Sequence, residues 1–190
     1  MDMYSSDILD RAIIFAVLAH KNVRRKGKEI PYILHPLEAS AIVATMTDDQ
    51  ELLAAAVLHD VIEDTPYTPG DVEKLFGKRV LAAVLADTQD EIEGLPGEES
   101  WHTRRYNSIL KIKNADREGK IVAMGDKLSN MRAIARDYRS IGDEIWKLFT
   151  VKERAEHEWH YRALADALNE LSDTEAYKEF VYLIDSVFGK

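Results

Sequence analysis

The chain has 190 residues, 46% of them apolar and 31% charged, with no cysteine and a formal net charge of −9. Such values describe a folded protein with enough chain for a real core; they exclude a disordered tail and a disulfide miniprotein, and they make nucleic acid a poor default partner, since duplex binding rests on neutralising phosphates. No stretch approaches the roughly 20 uninterrupted apolar residues of a membrane span, residues 1–6 carry no basic-then-apolar leader, and the lack of thiols fits a reducing cytoplasm, which is the expected setting.

Apolar residues recur at helical spacing nearly from end to end, and no stretch alternates apolar and polar as a strand would, so the expected class is all-α. A first helix over 7–21 carries Ile8, Ala12, Phe15, Ala16 and Ala19 on one stripe. The loop that follows, with Gly27 and Pro31, holds the basic knot Arg24, Arg25, Lys26 and Lys28. Pro36 suits the first turn of a second helix, where its missing N–H is no loss. Asp48 and Glu51 form a capping box for a third, the apolar run 52–62.

Thr68, Pro69 and Asp71 read as N-cap, first residue and first-turn acid of a fourth helix stopped at Gly77, with a fifth running on to about 87. The acidic, Gly- and Pro-containing stretch 90–99 is the best loop candidate, either a plain connector or a cover for a site. Helices are expected over 101–115 and 119–138, the second with Ile121, Met124, Leu128 and Met131 as its buried stripe. Two more, over 151–171 and 174–188, close the chain, with Trp146, Phe149, Trp159, Tyr161 and Leu164 as packing anchors. Residues 1–190 are read as one domain, a compact bundle of about 8–10 helices with a motif-bearing core over 7–138 and packing helices over 143–188.

In the run Leu58-His59-Asp60-Val61-Ile62-Glu63-Asp64-Thr65, four polar groups end an otherwise apolar helix, which is costly unless they bind something. On a continuous helix His59, Glu63, Asp60 and Asp64 lie at roughly 0°, 40°, 100° and 140°, on one side. Imidazole beside carboxylate suits Mn, Fe, Co, Ni or Zn better than Ca. Two adjacent residues do not enclose an ion, and His35 and Asp126, each among apolar or small neighbours at a predicted helix edge, are the best further candidates. Each alone also fits a helix cap or a core histidine held by a backbone group.

Taken in order, Arg25-Lys26, Pro31-Tyr32-Ile33-x-His35-Pro36, Leu58-His59-Asp60-x-Ile62-Glu63-Asp64-Thr65, Phe76-Gly77 and Asp126-Lys127-Leu128-x-Asn130-Met131-Arg132 resemble the hydrolase domain of the RelA/SpoT family and its small stand-alone alarmone hydrolases, within the HD superfamily. The resemblance covers about 7–138. It implies that His35, His59, Asp60 and Asp126 hold one divalent ion, usually Mn2+ in the alarmone hydrolases, and that Glu63 and Asp64 are the catalytic pair that activates water. It further implies substrate binding by Arg25, Lys26 and Asn130, and hydrolysis of a nucleotide phosphate ester or diphosphate, most specifically a (p)ppGpp 3′-pyrophosphohydrolase reaction.

Two rivals follow from the same residues. One keeps the site and changes the nucleotide, to NADPH losing its 2′-phosphate or to a deoxynucleotide; the other is a non-catalytic nucleotide-binding regulator on the same scaffold. The expected partner is therefore a small-molecule nucleotide, with neither nucleic acid nor membrane. The chain departs from the long enzymes between Phe76-Gly77 and Asp126, where Trp101, Arg104 and Arg105 stand: core packing is the commoner fate for the tryptophan and solvent for the arginines. No synthetase segment is visible.

Overall fold

The computed structural model describes residues 7–25, 28–89 and 100–189. Among these every regular element is helical, in the order α1 Ile8–Ala19, α2 Leu34–Val43, α3 Gln50–Leu58, α4 Val61–Asp64, α5 Pro69–Phe76, α6 Lys78–Asp87, α7 Trp101–Asn114, α8 Arg117–Ile141, a 3-10 segment Gly142–Leu148, α9 Arg154–Ala167, a 3-10 turn Asn169–Leu171 and α10 Glu175–Phe188. The one strand-like feature is an isolated antiparallel bridge between Arg24 and Pro31. No described helix is long and apolar enough to cross a membrane.

Two helices organise the bundle. Leu52 to Leu58 of α3 are all buried, so α3 is apolar all round and lies in the interior, packed by α1, α2, α6 and α8. The 25-residue α8, roughly 37 Å long at 1.5 Å per residue, is the central strut against which α2, α3, α6 and α10 pack. At the α2–α8 crossing Gly125 has no room for a side chain: a Cβ there would stand 2.7 Å from the Ala39 carbonyl oxygen and 2.8 Å from Val43 Cγ2. The two backbones therefore touch one residue before Asp126 and about one turn after His35.

Local signals set most boundaries. Thr68 and Asp71 close a reciprocal capping box on α5, with Pro69 in the first turn, and Gly77 ends it at φ +92°, a conformation that favours glycine. Asp116 caps α8 through the Gly119 N–H and Thr174 caps α10 through the Tyr177 N–H. Pro36 sits in the first turn of α2. At the C-terminus Trp146, Tyr161 and Leu164 are buried, while Phe149 and Trp159 pack partly buried against the core.

Three expectations need correction. The run expected as one helix over 52–62 is two: α3 ends at Leu58, His59 and Asp60 form a turn, and α4 restarts at Val61. The α3 cap is Asp49, whose carboxylate accepts the Glu51 N–H at 2.9 Å, while Asp48 is exposed. The expected helix over 151–171 resolves into α9 and the 3-10 turn Asn169–Leu171, and the 3-10 segment Gly142–Leu148 was not expected at all. The stretch 90–99 lies outside the described residues.

Candidate metal centre

The turn between α3 and α4 delivers His59 and Asp60 to the middle of the molecule, α2 delivers His35 and α8 delivers Asp126. One donor atom from each of His35, His59 and Asp126 lies within 4.8 Å of the others, and all three residues are buried. His35 Nε2 is 2.9 Å from Asp126 Oδ1 and 3.6 Å from Asp60 Oδ2; His59 Nε2 is 2.8 Å from Asp60 Oδ2 and 3.5 Å from Asp126 Oδ1. Three of the four residues expected as ligands, His35, His59 and Asp126, thus form one cluster, and Asp60 borders it through the two histidines.

The hydrogen bonds around this point decide what it can hold. His59 Nδ1 lies 2.8 Å from the Ala56 carbonyl oxygen, an acceptor, so Nδ1 must carry the hydrogen. The lone pair of a neutral His59 is then on Nε2, which is buried, has no hydrogen-bond partner and faces carboxylate oxygens. Acceptors turned on acceptors in a dry interior call for a cation between them, a proton or a metal ion. Accordingly the His59 pKa stands well above 6.5: burial would lower it, but the Asp60 and Asp126 carboxylates outweigh burial. Two imidazole nitrogens with carboxylate oxygens form a donor set for a first-row divalent ion, so the residues present fit such an ion.

Each carboxylate is also held from outside. Asp60 Oδ2 accepts the Tyr32 hydroxyl at 2.7 Å. Asp126 Oδ1 accepts the Asn130 side-chain amide, and Oδ2 accepts the Lys127 ammonium, which lies 2.6 Å from Asp87 Oδ1. Lys127 and Asp87 are both buried, and their mutual attraction with Asp126 keeps the ammonium charged despite burial. Burial pushes Asp60 and Asp126 upward, but His59 and Lys127 respectively lead the charges that hold both carboxyls below the usual range, so both are ionised.

The expected acids stand at the rim. Asp64 has its carboxyl raised by desolvation and by Asp60, against the hydrogen bond from Tyr32. Glu63 Oε1 accepts the Gln89 N–H at 2.7 Å. Its side chain is open to solvent on one side, yet enough protein crowds the carboxyl that desolvation, reinforced by Asp60 and Asp87, pushes it up to about 7.

Of the expected substrate contacts, Arg25 and Asn130 come together across the chain: an Arg25 terminal nitrogen donates to Asn130 Oδ1 at 3.0 Å, and the guanidinium lies 5.6 Å from the centre of the Tyr32 ring. The backbone pairs Arg25 N–H to Ile30 O and Tyr32 N–H to Val23 O pin both ends of the basic loop there. Lys26 lies outside the described residues. Arg24 donates to the Glu29 carbonyl and Lys28 pairs with Asp137. Trp101 is buried against His157 and His160, as core packing requires, with the Arg105 guanidinium 5.7 Å from its ring. Arg104 and Arg105 are half-buried, less open than the solvated position expected of them.

Sequence reasoning missed Tyr32, although it stood inside a quoted motif; a tyrosine three residues before a candidate ligand histidine was the available signal. It also missed His20, buried beside Tyr32 at 5.0 Å between ring centres with neither ring nitrogen hydrogen-bonded. Ser129, Glu38 and Asp87 were missed because their partners are remote in sequence, and Lys127, though inside a quoted motif, was missed because Asp87 is 40 residues away.

Comparison with known proteins gives concordant results. The family described as HD domain matches residues 12–151. The bifunctional (p)ppGpp synthase/hydrolase SpoT of Escherichia coli K12 is 34% identical over 126 residues, which are 66% of this chain and 18% of that protein. The protein named GTP pyrophosphokinase rsh of Brucella melitensis is 31% identical over 127 residues, 67% of this chain and 17% of that one. The chain thus spans less than a fifth of these curated relatives, which are its homologues. Among solved structures, a metazoan ortholog of SpoT, described as hydrolysing ppGpp, superposes with a TM-score of 0.77 at 25% identity, covering 98% of this chain and 99% of the other. The structure of lmo0812 from Listeria monocytogenes EGD-e superposes with a TM-score of 0.71 at 24% identity, covering 82% and 99%, and shares the fold.

Proposed function

The chain belongs to the HD-domain family, and from that premise we propose that it is a divalent-metal phosphohydrolase that removes the 3′-diphosphate of a (p)ppGpp-type nucleotide, with Mn2+ as its ion. The observation that carries this reading is the buried Nε2 of His59 turned on the carboxylates of Asp60 and Asp126, beside the Nε2 of His35. His35, His59, Asp60 and Asp126 are the ligands in this reading. Bound there, the ion supplies Lewis acidity that lowers the pKa of water toward neutrality.

The chain's own groups do the rest. Glu63, with its carboxyl near neutrality, takes the proton of the attacking water, the pKa range in which a general base works best. Tyr32 fixes Asp60 and steadies Asp64, which orients the water. Arg25 and Asn130, joined to each other beside Asp126, receive the nucleotide's phosphate and nucleoside, with Lys26 beside Arg25 in sequence. Cleavage would release pyrophosphate and GDP or GTP. The packing of α9 on α7 and of α10 on α8 supports reading the whole chain as one domain.

The test is release of pyrophosphate or phosphate from ppGpp and a panel including NADPH and deoxynucleotides, with metal-stripped protein, with and without Mn2+, beside Asp60→Ala. Mn2+-dependent pyrophosphate release from ppGpp, absent in Asp60→Ala, is the expected result. Phosphate release from another nucleotide would keep the mechanism and replace the substrate. No metal-dependent turnover on any of them would leave a nucleotide-binding regulator.

A further inference from the structure

Behind His35 runs a chain of hydrogen bonds that ends on the last helix. His35 Nδ1 is 2.9 Å from Ser129 Oγ. The Ser129 hydroxyl donates to Glu38 Oε2 at 2.9 Å. Glu38 Oε1 accepts from Arg132 at 3.4 Å, and Arg132 grips Glu179 of α10 through two bonds of 2.7 and 2.6 Å.

Only one assignment of hydrogens satisfies this chain. Glu38 is a half-exposed carboxylate facing a guanidinium, so it accepts from both neighbours. Ser129, 1% exposed, has a single hydroxyl hydrogen and gives it to Glu38. What remains to Ser129 is a lone pair, and the group that meets it is His35 Nδ1–H. His35 thereby carries its hydrogen on Nδ1 and turns Nε2 on Asp126 Oδ1, 2.9 Å away, as a donor when that nitrogen is protonated and as a ligand when an ion takes the place of the proton. Ligand histidines are commonly oriented by a carboxylate or carbonyl bound directly to the far nitrogen; here a serine is interposed and the carboxylate lies one step further out.

We infer that Ser129 and Glu38 are positioning residues that set the tautomer and rotation of His35, and that Arg132 and Glu179 hold Glu38 in place, so that α10 supports the metal centre. This rests on the ligand reading proposed above. Glu179 lies beyond residues 12–151, the part matched by the family. The rival explanation is a surface ion pair between α8 and α10. Arg132 and Glu179 are 37% and 39% exposed in their side chains, and pairs of that kind contribute little to stability and nothing to a ligand's tautomer.

The experiment uses the full, metal-stripped chain with Ser129→Ala, Glu38→Gln and Glu179→Gln, and Glu175→Gln on the same helix as control. Mn2+ affinity is read by calorimetry, and the His35 tautomer by long-range 15N–1H correlation in the metal-free protein at a pH where the correlation shows a neutral ring. Ser129→Ala and Glu38→Gln should weaken Mn2+ binding by about 10- to 100-fold and turn His35 from one tautomer into a mixture; Glu179→Gln should act in the same direction more weakly, and Glu175→Gln should not act. If Ser129→Ala fails to fold, the surface change Glu38→Gln carries the test. A pure Nδ1–H tautomer retained in the folded variants, or Mn2+ affinity within about twofold of wild type, would overturn the inference. Should the wild-type chain bind no divalent ion, the ligand reading falls, and the tautomer alone still decides whether the relay orients His35.

Discussion

The Nζ of Lys127 lies 2.6 Å from Asp87 Oδ1 while also holding Asp126, and neither Lys127 nor Asp87 is more than a tenth exposed. The ammonium therefore joins the end of α6 to the middle of α8 in a dry interior. Removing it strands two carboxylates, and breaking a buried pair on one side costs about 3–5 kcal/mol. Lys127→Met should lower the unfolding free energy of the metal-free chain by that order, measured by urea titration; a loss below about 1 kcal/mol would mean that the pair is solvated in solution.

Metal binding should expel a proton. In the metal-free chain the folded pKa of His59 is raised above its unfolded value near 6.5, so the stabilisation from charged His59 is fully present below that value and is lost as pH rises through the folded pKa. An ion taking Nε2 must displace this proton, so Mn2+ affinity should strengthen with rising pH. Calorimetric heats at pH 7 should vary with the ionisation enthalpy of the buffer. Heats independent of buffer would show that no proton leaves.

Glu63 has its carboxyl pushed up to about 7, so it is protonated and idle as a base at lower pH. Hydrolysis, as kcat/KM, should climb as pH rises through this region. Glu63→Gln should cost about 10²–10⁴ in rate, abolish that ascending limb and leave Mn2+ affinity unchanged. A variant with normal rate but weak metal binding would move Glu63 into the ligand set.

The two neighbouring aspartates before α3 should behave differently. Asp49 accepts the Glu51 N–H and pairs with Arg79, whereas Asp48 is exposed to solvent. Asp49→Ala should cost about 1 kcal/mol by loss of the cap, and Asp48→Ala less than about 0.5 kcal/mol, both read from thermal or urea unfolding. Equal losses would place the helix start one residue earlier.

That pair also marks how far sequence reading reached. The helices appeared because apolar spacing is a local signal, and caps such as Thr68 with Asp71 are legible within four residues. The break at His59 and Asp60 was not legible: the segment contains no glycine or proline, and local propensity favours continuing the helix that tertiary packing interrupts. The four proposed ligands were legible as residue types and through motif order, though what joins them is three-dimensional. Ser129 reads as one more polar residue on a long helix until α2 is laid across it, and Glu38 and Glu179 carry no sign in sequence that they share an arginine. Asp87 ends a helix like many aspartates, and only its burial against Lys127 distinguishes it.

At the α2–α8 crossing, Gly125 acts as a gauge set to zero. The separation of His35 from Asp126 is fixed there by the hydrogen atom that stands where every other residue would place a carbon, with Ala39 and Val43 as the opposing stop. A methyl group at that position would act as a wedge between the two helices that carry His35 and Asp126. Position 125 is thus a place where the smallest possible enlargement of the chain would be felt at the proposed metal centre, through geometry alone and without touching a single donor atom.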